Sequence, residues 1–226
     1  GGMTMAKEIQ RRNPITKWEM ISKNPGLFAT NNKVVIAGRI ENDFKFSHRQ
    51  PGTRIKVFRT KIRTEVNGKI DVIPVLVPEM LLTSIYVKNM WVAVAGAIKI
   101  YRGVKEDRRR YKDVSVMASE CYFFKEKIEN VNIVFLKGEL VKDAFSKHGK
   151  KAELTLRVDR RNSYARDYVP CVAYGKSLER ALQMKAETKI SLFGRFQSRE
   201  YTKRSEFDLI NRTAFEIATN SVRVLD

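Results

Sequence analysis

Apolar and polar residues alternate along this chain in two units of similar layout, one over about residues 31–124 and the other over about 132–224. Each unit opens on an apolar run that reaches a glycine: KVVIAGRI with Gly38, and NIVFLKGEL with Gly138. A proline-bearing run follows, VIPVLV with Pro74 and YVPCVAYG with Pro170. Next comes an apolar–Gly–basic run, VAVAGAIKIYR with Gly96 and ISLFGRFQSRE with Gly194. Each unit closes on an alternating run, DVSVMASE and AFEIATNS. Period-two alternation is the mark of half-buried strands. The two glycine-to-glycine spacings differ by only two residues, so the units are repeats, and the repeats set the domain count.

The alternation predicts five strands per unit. In the first they cover Lys33–Ile40, Ile55–Val66, Ile70–Val77, Trp91–Tyr101 and Lys112–Glu120. In the second they cover Asn132–Val141, Ala152–Asp159, Asp167–Tyr174, Lys189–Tyr201 and Thr213–Val222. Asn67-Gly68 predicts a tight hairpin. Ile55, Val57 and Ile62 cannot share one face at strict period two, which predicts a bulge near Arg59–Thr60. Pro78–Met90 and Ser177–Met184 predict connecting helices, the second turning Leu178, Ala181 and Leu182 to the core. Lys105–Arg110, Arg160–Arg166 and Thr202–Asn211 read as loops. Five strands with a helix between the third and fourth is the order of the OB-fold, a small Greek-key barrel. The expected fold is therefore all-β: two tandem OB-folds, residues 31–127 and 128–226, behind an amino-terminal arm of residues 1–30. Within the arm Thr16–Lys23 reads as a short helix anchored by Trp18 and Ile21.

Charge changes the picture from fold to partner. The chain of 226 residues has 44 basic and 25 acidic residues, a formal net charge of +19. Such an excess repels itself unless a partner neutralises it, and a polyphosphate backbone does so with release of counterions. No stretch reads as a basic amphipathic anchor or a membrane span, so a membrane partner is not expected. Cys121 and Cys171 sit in apolar runs and read as buried free thiols of a reducing compartment. No secretory signal is read at the amino end, and Gly1-Gly2 ahead of Met3 has the form of a cleavage remnant.

With these residues in view, the second unit resembles the OB-fold domain of bacterial single-stranded DNA-binding proteins. The stretches that carry it are LTLRVDRR (Leu154–Arg161), DYVPCVAYG (Asp167–Gly175), ISLFGRFQSREY (Ile190–Tyr201) and RTAFEIATNSVRVL (Arg212–Leu225). The first unit looks like a diverged relative through FRTKIRTE, DVIPVLVP, WVAVAGAIKIYRG and DVSVMASECYFF. The resemblance implies single-strand binding by stacking aromatics and basic residues, and an assembly of four barrels. It also implies a plasmid, phage or bacterial nucleoid setting in the cytoplasm. The chain departs from the family in carrying two barrels and in reaching Leu225-Asp226 without an acidic tail. Recruitment of other proteins through such a tail is not expected.

Single-strand binding without sequence choice needs cations for the phosphates and flat rings for the bases. In the second unit the candidates are Arg157, Arg160, Arg161, Tyr164, Arg166 and Tyr168 around the second and third strands. Arg195, Gln197, Arg199 and Tyr201 follow along the fourth strand, then Lys203 and Arg204 in the loop and Arg212 at the fifth strand. Phe193 shares the parity of Arg195 through Tyr201 and reads as core or sheet filler; Phe196, on the opposite face, reads as core. Tyr174 is divided between core and interface. In the first unit Arg59, Lys61 and Arg63 form a stripe at period two. Lys99, Tyr101, Arg108, Arg109, Arg110 and Tyr111 extend it, with Lys112 beyond. Trp91 reads as packing.

Nothing supports catalysis. His48 and His148 belong to no ligand set, no metal site or cofactor is expected, and GKS at Gly175–Ser177 lacks the glycine loop of a nucleotide site. Two other roles compete with single-stranded DNA binding on the same fold: a protein–protein scaffold in a replication or primosome complex, and an RNA-binding barrel. The resemblance also predicts a homodimer that brings four barrels together, with the apolar strands Val34–Ile40 and Trp91–Ile100 in the subunit contact and the arm fastening it.

Overall fold

The computed structural model describes residues 22–23, 30–82, 89–161 and 163–226. The arm and its expected helix therefore lie outside the described residues, apart from helical Ser22–Lys23 and Thr30. The first barrel holds β1 (Asn32–Ile40), β2 (Lys45–Arg49), β3 (Lys56–Val66), β4 (Lys69–Pro78), β5 (Trp91–Val104) and β6 (Arg110–Phe124). The second holds β7 (Val131–Leu140), β8 (Ala152–Asp159), β9 (Arg166–Ala173), the helix α1 (Leu178–Leu182), β10 (Lys189–Arg204) and β11 (Leu209–Val224). These are two tandem OB-folds. Parallel pairs β4–β6 and β9–β11 recur at the same place in each barrel. Antiparallel β1–β7 pairing, from Asn32↔Leu136 to Ala37↔Val131, joins the barrels into one sheet of eleven strands.

The signature glycines answer a steric demand. A Cβ at Gly38, Gly96, Gly138 or Gly194 would run into a carbonyl of the neighbouring strand, at Arg63, Met117, Arg157 and Ala218 respectively. The strands approach so closely because the sheet curls tightly enough to close a small barrel. Inside, Ile36, Ile62 and Ile98 of the first barrel and Leu136, Leu156, Leu192 and Phe196 of the second are completely buried.

Two asparagines extend the ladder where strands part. Asn32 accepts from the Ile98 N–H at 2.8 Å and donates to the Ile98 carbonyl at 2.9 Å. Asn132 does the same with Phe196, at 2.8 and 2.9 Å. Each side chain mimics a peptide group, so buried backbone that has lost its strand partner stays paired.

Several expectations are corrected. Strand β2, KFSHR, was not expected, because it is largely exposed and has no apolar face. No bulge falls at Arg59–Thr60: β3 pairs β4 without a shift from Val57↔Pro78 to Val66↔Lys69, and the irregularity lies in β2 between Phe46 and His48. Of the segment Pro78–Met90, where a helix is expected, the described part holds a 3-10 turn at Glu79–Leu81, and residues 83–88 lie outside the described residues. The β5–β6 and β10–β11 hairpins are longer than expected, so Arg110, Lys203 and Arg204 stand on strands, as Arg212 does at the place expected. In α1, Ala181 is buried as expected, but Leu182 faces solvent and Met184 packs in its place. The edge of β1 is taken by β7, and Val35, Ala37, Ala93 and Ala95 are covered by Tyr122, Phe124, Ile128 and Val131. That part of the apolar surface assigned to a subunit contact is buried within the chain.

Candidate nucleic-acid interface

The first-barrel face is built on β2, β3 and β5. Phe46 is 56% exposed and meets the Phe58 ring edge-on at 6.2 Å. His48 meets Tyr101 edge-on at 5.7 Å, and Lys99 Nζ lies 5.3 Å from the Tyr101 ring centre. Rings and cations are interleaved here, the combination that base stacking and phosphate contact require. Phe46, Phe58, His48, Lys45 and Arg49 were not among the sequence candidates. The signal of the four on β2 was hidden because that strand carries no apolar periodicity, whereas Phe58 stands on β3.

The basic stripe on β3 is less uniform than its spacing suggests. Arg59 makes a two-pronged ion pair with Asp113, at 2.5 and 3.0 Å, which raises the Arg59 pKa. Lys61 is exposed and Arg63 half-buried. At the β5–β6 turn Arg109 pairs with Asp107 at 2.8 Å, while Arg108, Arg110 and Tyr111 are exposed. Burial, together with the nearby Arg102 charge, lowers the Lys112 pKa.

In the second barrel four candidates, Arg160, Arg195, Gln197 and Arg199, are engaged in structural contacts. Arg160 binds Asp167 at 2.8 and 2.9 Å and also donates to the Ile100 carbonyl of the first barrel at 3.3 Å. The hydrogen bond to Asp167 raises its pKa. Arg195 binds Asp71 of the first barrel, and Gln197, both at 2.5 Å. Gln197 is buried, donating to Glu216 at 2.9 Å and to the Tyr174 hydroxyl at 3.4 Å, which gives Tyr174 a half-buried place in this network. Arg199 donates to Glu216 at 3.0 Å, a bond that raises its pKa, and lies 5.7 Å over the Tyr201 ring.

The other candidates stay near solvent. Arg157 pairs with Glu139 and Arg166 with Asp159, each at 3.4 Å. Arg161, Lys203, Arg204 and Arg212 are exposed, and Tyr164 is fully so. Tyr168 is half-buried beneath Arg102 of the first barrel, 5.4 Å from its ring centre. Phe196 is core, whereas Phe193 is 43% exposed and leans on Phe135 at 4.8 Å. Trp91 is half-buried, with Lys127 at 5.9 Å. Lys142 and Phe145, 5.0 Å apart between β7 and β8, are further exposed ring–cation neighbours that the sequence reading missed. No group of three or more metal-binding side chains occurs among the described residues.

The wild-type single-stranded DNA-binding protein of Thermus aquaticus superposes on this chain with a TM-score of 0.63 at 16% identity, over 86% of this chain and 93% of that one. The chain has that protein's fold. A deletion variant of the same protein gives a TM-score of 0.65 at 16% identity, over 86% and 94%. The coverage is too long for one barrel, so the likeness takes in both. No protein-family model matches the chain, and no curated protein sequence does.

Proposed function

We propose that this chain is a non-catalytic protein that binds single-stranded DNA with little sequence preference and protects it during replication, recombination or repair. The observation that carries this reading is the face of Phe46, Phe58, His48, Tyr101 and Lys99. It combines one exposed ring and three half-buried ones with a cation on a chain of net charge +19. The fold it shares with a single-stranded DNA-binding protein supports the same reading. A scaffold would have no need of ring–cation pairs on an open face. The proposal extends to a bacterial, plasmid or phage nucleoid setting and to pairing of two chains into four barrels. No helix among the described residues is long and apolar enough to cross a membrane.

The test is a titration with labelled single-stranded DNA, duplex DNA and single-stranded RNA at two salt concentrations. Tight single-strand binding is expected, with log K falling by about 0.7 per neutralised phosphate against log salt. Equal affinity for duplex, or a flat salt profile, overturns the reading; preference for RNA moves it to the RNA alternative. Light scattering checks the pairing: a mass holding at 26.1 kDa across micromolar concentrations excludes it.

A further inference from the structure

Two clefts flank the β1–β7 seam, and the repeat relates them. In the first, the β8–β9 turn of the second barrel stands against β1, β5 and β6. In the second, the β3–β4 turn of the first barrel stands against β7, β10 and β11. Their volumes are about 630 and 690 Å³. Both fall within the roughly 300–1,000 Å³ of clefts that hold small organic ligands. The matching is residue by residue: Ser119 and Asn220 are each the extra residue where the strand register shifts, at Ala95/Gly96 and at Phe193/Gly194.

Equivalent places carry different chemistry. Lys33 and Lys99 line the first cleft, where Ile133 and Gln197 line the second. The turn over the second cleft is the tight Asn67-Gly68, both residues at positive φ. The turn over the first is longer and brings in Arg161. It is tied to the first barrel by the Asn31 amide, which donates to the Asp159 carbonyl at 2.7 Å, and by the Asp167 carboxylate, which accepts the Ile100 N–H at 3.0 Å.

The acids of the first cleft are already engaged, Asp167 by Arg160 and Asp159 by Arg166. Lys99 and Arg161 are in no ion pair among the described residues. In the second cleft Arg195 is bound to Asp71, which leaves Lys69 as the one lining cation outside the described ion pairs. Its wall is aromatic instead, with Phe193 and Tyr174.

We propose that a bound single strand crosses from the first barrel to the second through the first cleft, with its phosphodiester backbone against Lys99 and Arg161. The inference rests on the single-strand reading above and adds to it the place of crossing. Tyr101, under Lys99 and edge-on to His48, carries the base-stacking face up to this cleft. The second cleft has a single such cation and does not hold the backbone.

The matched residues Ser119 and Asn220 are both exposed and provide the test. Single variants Ser119→Cys and Asn220→Cys of the full chain are alkylated with and without a saturating oligothymidylate. The native thiols give little background: Cys171 is buried as expected, and Cys121, half-buried where full burial is expected, has its thiol pushed up to about 12 by desolvation. Bound strand slows alkylation at Ser119→Cys by about tenfold or more and leaves Asn220→Cys within about twofold, because a covered thiolate cannot be reached. In parallel, Lys99→Ala/Arg161→Ala lowers the salt slope by about 1.4, two phosphates' worth, while Lys69→Ala does not. Equal protection of the two thiols, protection of Asn220→Cys alone, or equal slopes overturns the crossing. Binding of the unaltered chain is measured first; if it takes up no oligothymidylate, the single-strand reading itself fails, an outcome distinct from bound strand that leaves Ser119→Cys reactive.

Discussion

Asp71 and Asp167 perform one task in opposite directions across the seam. Asp71 of the first barrel accepts the backbone N–H of Ser198 in the second, and Asp167 of the second accepts that of Ile100 in the first, both at 3.0 Å. Each carboxylate is 2% exposed and is also held by an arginine, Arg195 or Arg160. The repeat thus clamps itself with two equivalent, fully paired charges, and the β1–β7 ladder between them sets the distance.

The clamp makes the first prediction. Asp71→Ala or Asp167→Ala strands an arginine and a strand N–H in a poorly solvated place, and should cost roughly 3–5 kcal/mol of stability. Urea denaturation of the two variants measures it. A loss of only about 0.5 kcal/mol, typical of an open surface site, would show that the clamp has no energetic role.

Tyr201 and Leu192 lie on the same strand and should separate binding from folding. Tyr201 is 39% exposed and Leu192 only 1%. Tyr201→Ala should weaken strand binding by about 1–3 kcal/mol, the worth of a stacking ring, and leave the melting temperature nearly unchanged. Leu192→Ala should cost roughly 2–5 kcal/mol of stability through the cavity it opens. Melts and isotherms on both variants check the division; a Tyr201→Ala chain that unfolds while keeping its affinity per folded molecule would reverse it.

Phe46 tests the part of the face that only the fold brings together. Its ring is mostly exposed and stands on an edge strand, so Phe46→Ala should leave thermal stability almost intact. Affinity for single strands should fall by about 1–3 kcal/mol. Unchanged affinity would remove β2 from the interface.

The cysteines give a pH dependence. Burial raises the Cys121 thiol from 9.0 to about 12 and raises Cys171 as well. The folded chain therefore keeps protons that the unfolded chain releases. The stability this confers is complete below the unfolded value near 9, and is lost as pH rises from there toward the folded value. Between about pH 8 and pH 10.5, Cys121→Ala should lose less stability than the unaltered chain. Parallel losses in melts at the two pH values would show that Cys121 is not the group responsible.

How much of this was legible depends on the range of the interaction involved. Strand alternation, the Asn67-Gly68 turn and the four glycines were readable, because each reflects a local or nearest-strand demand, and the repeat states the alternation and the glycines twice. Strand β2 was not: Lys45–Arg49 is held by its pairing to β3 and not by an apolar face of its own. The ends of the long hairpins were missed for a similar reason, since exposed residues such as Lys203 and Arg110 become strand through their partners and show no periodicity.

The sequence by itself determined that this chain is two basic β-barrels with cations and rings on their outer strands. Alternation, steric room at glycine and net charge are properties of short segments and of composition. Only the tertiary structure decided which cations are committed. Arg195 and Arg199 share a parity on β10 and look alike in sequence. Yet Arg195 meets Asp71, 124 positions away, and Arg199 meets Glu216 on the neighbouring strand. Ion pairing acts over a few ångströms in space: the β1–β7 seam brings Arg195 to Asp71, and the β10–β11 pairing brings Arg199 to Glu216.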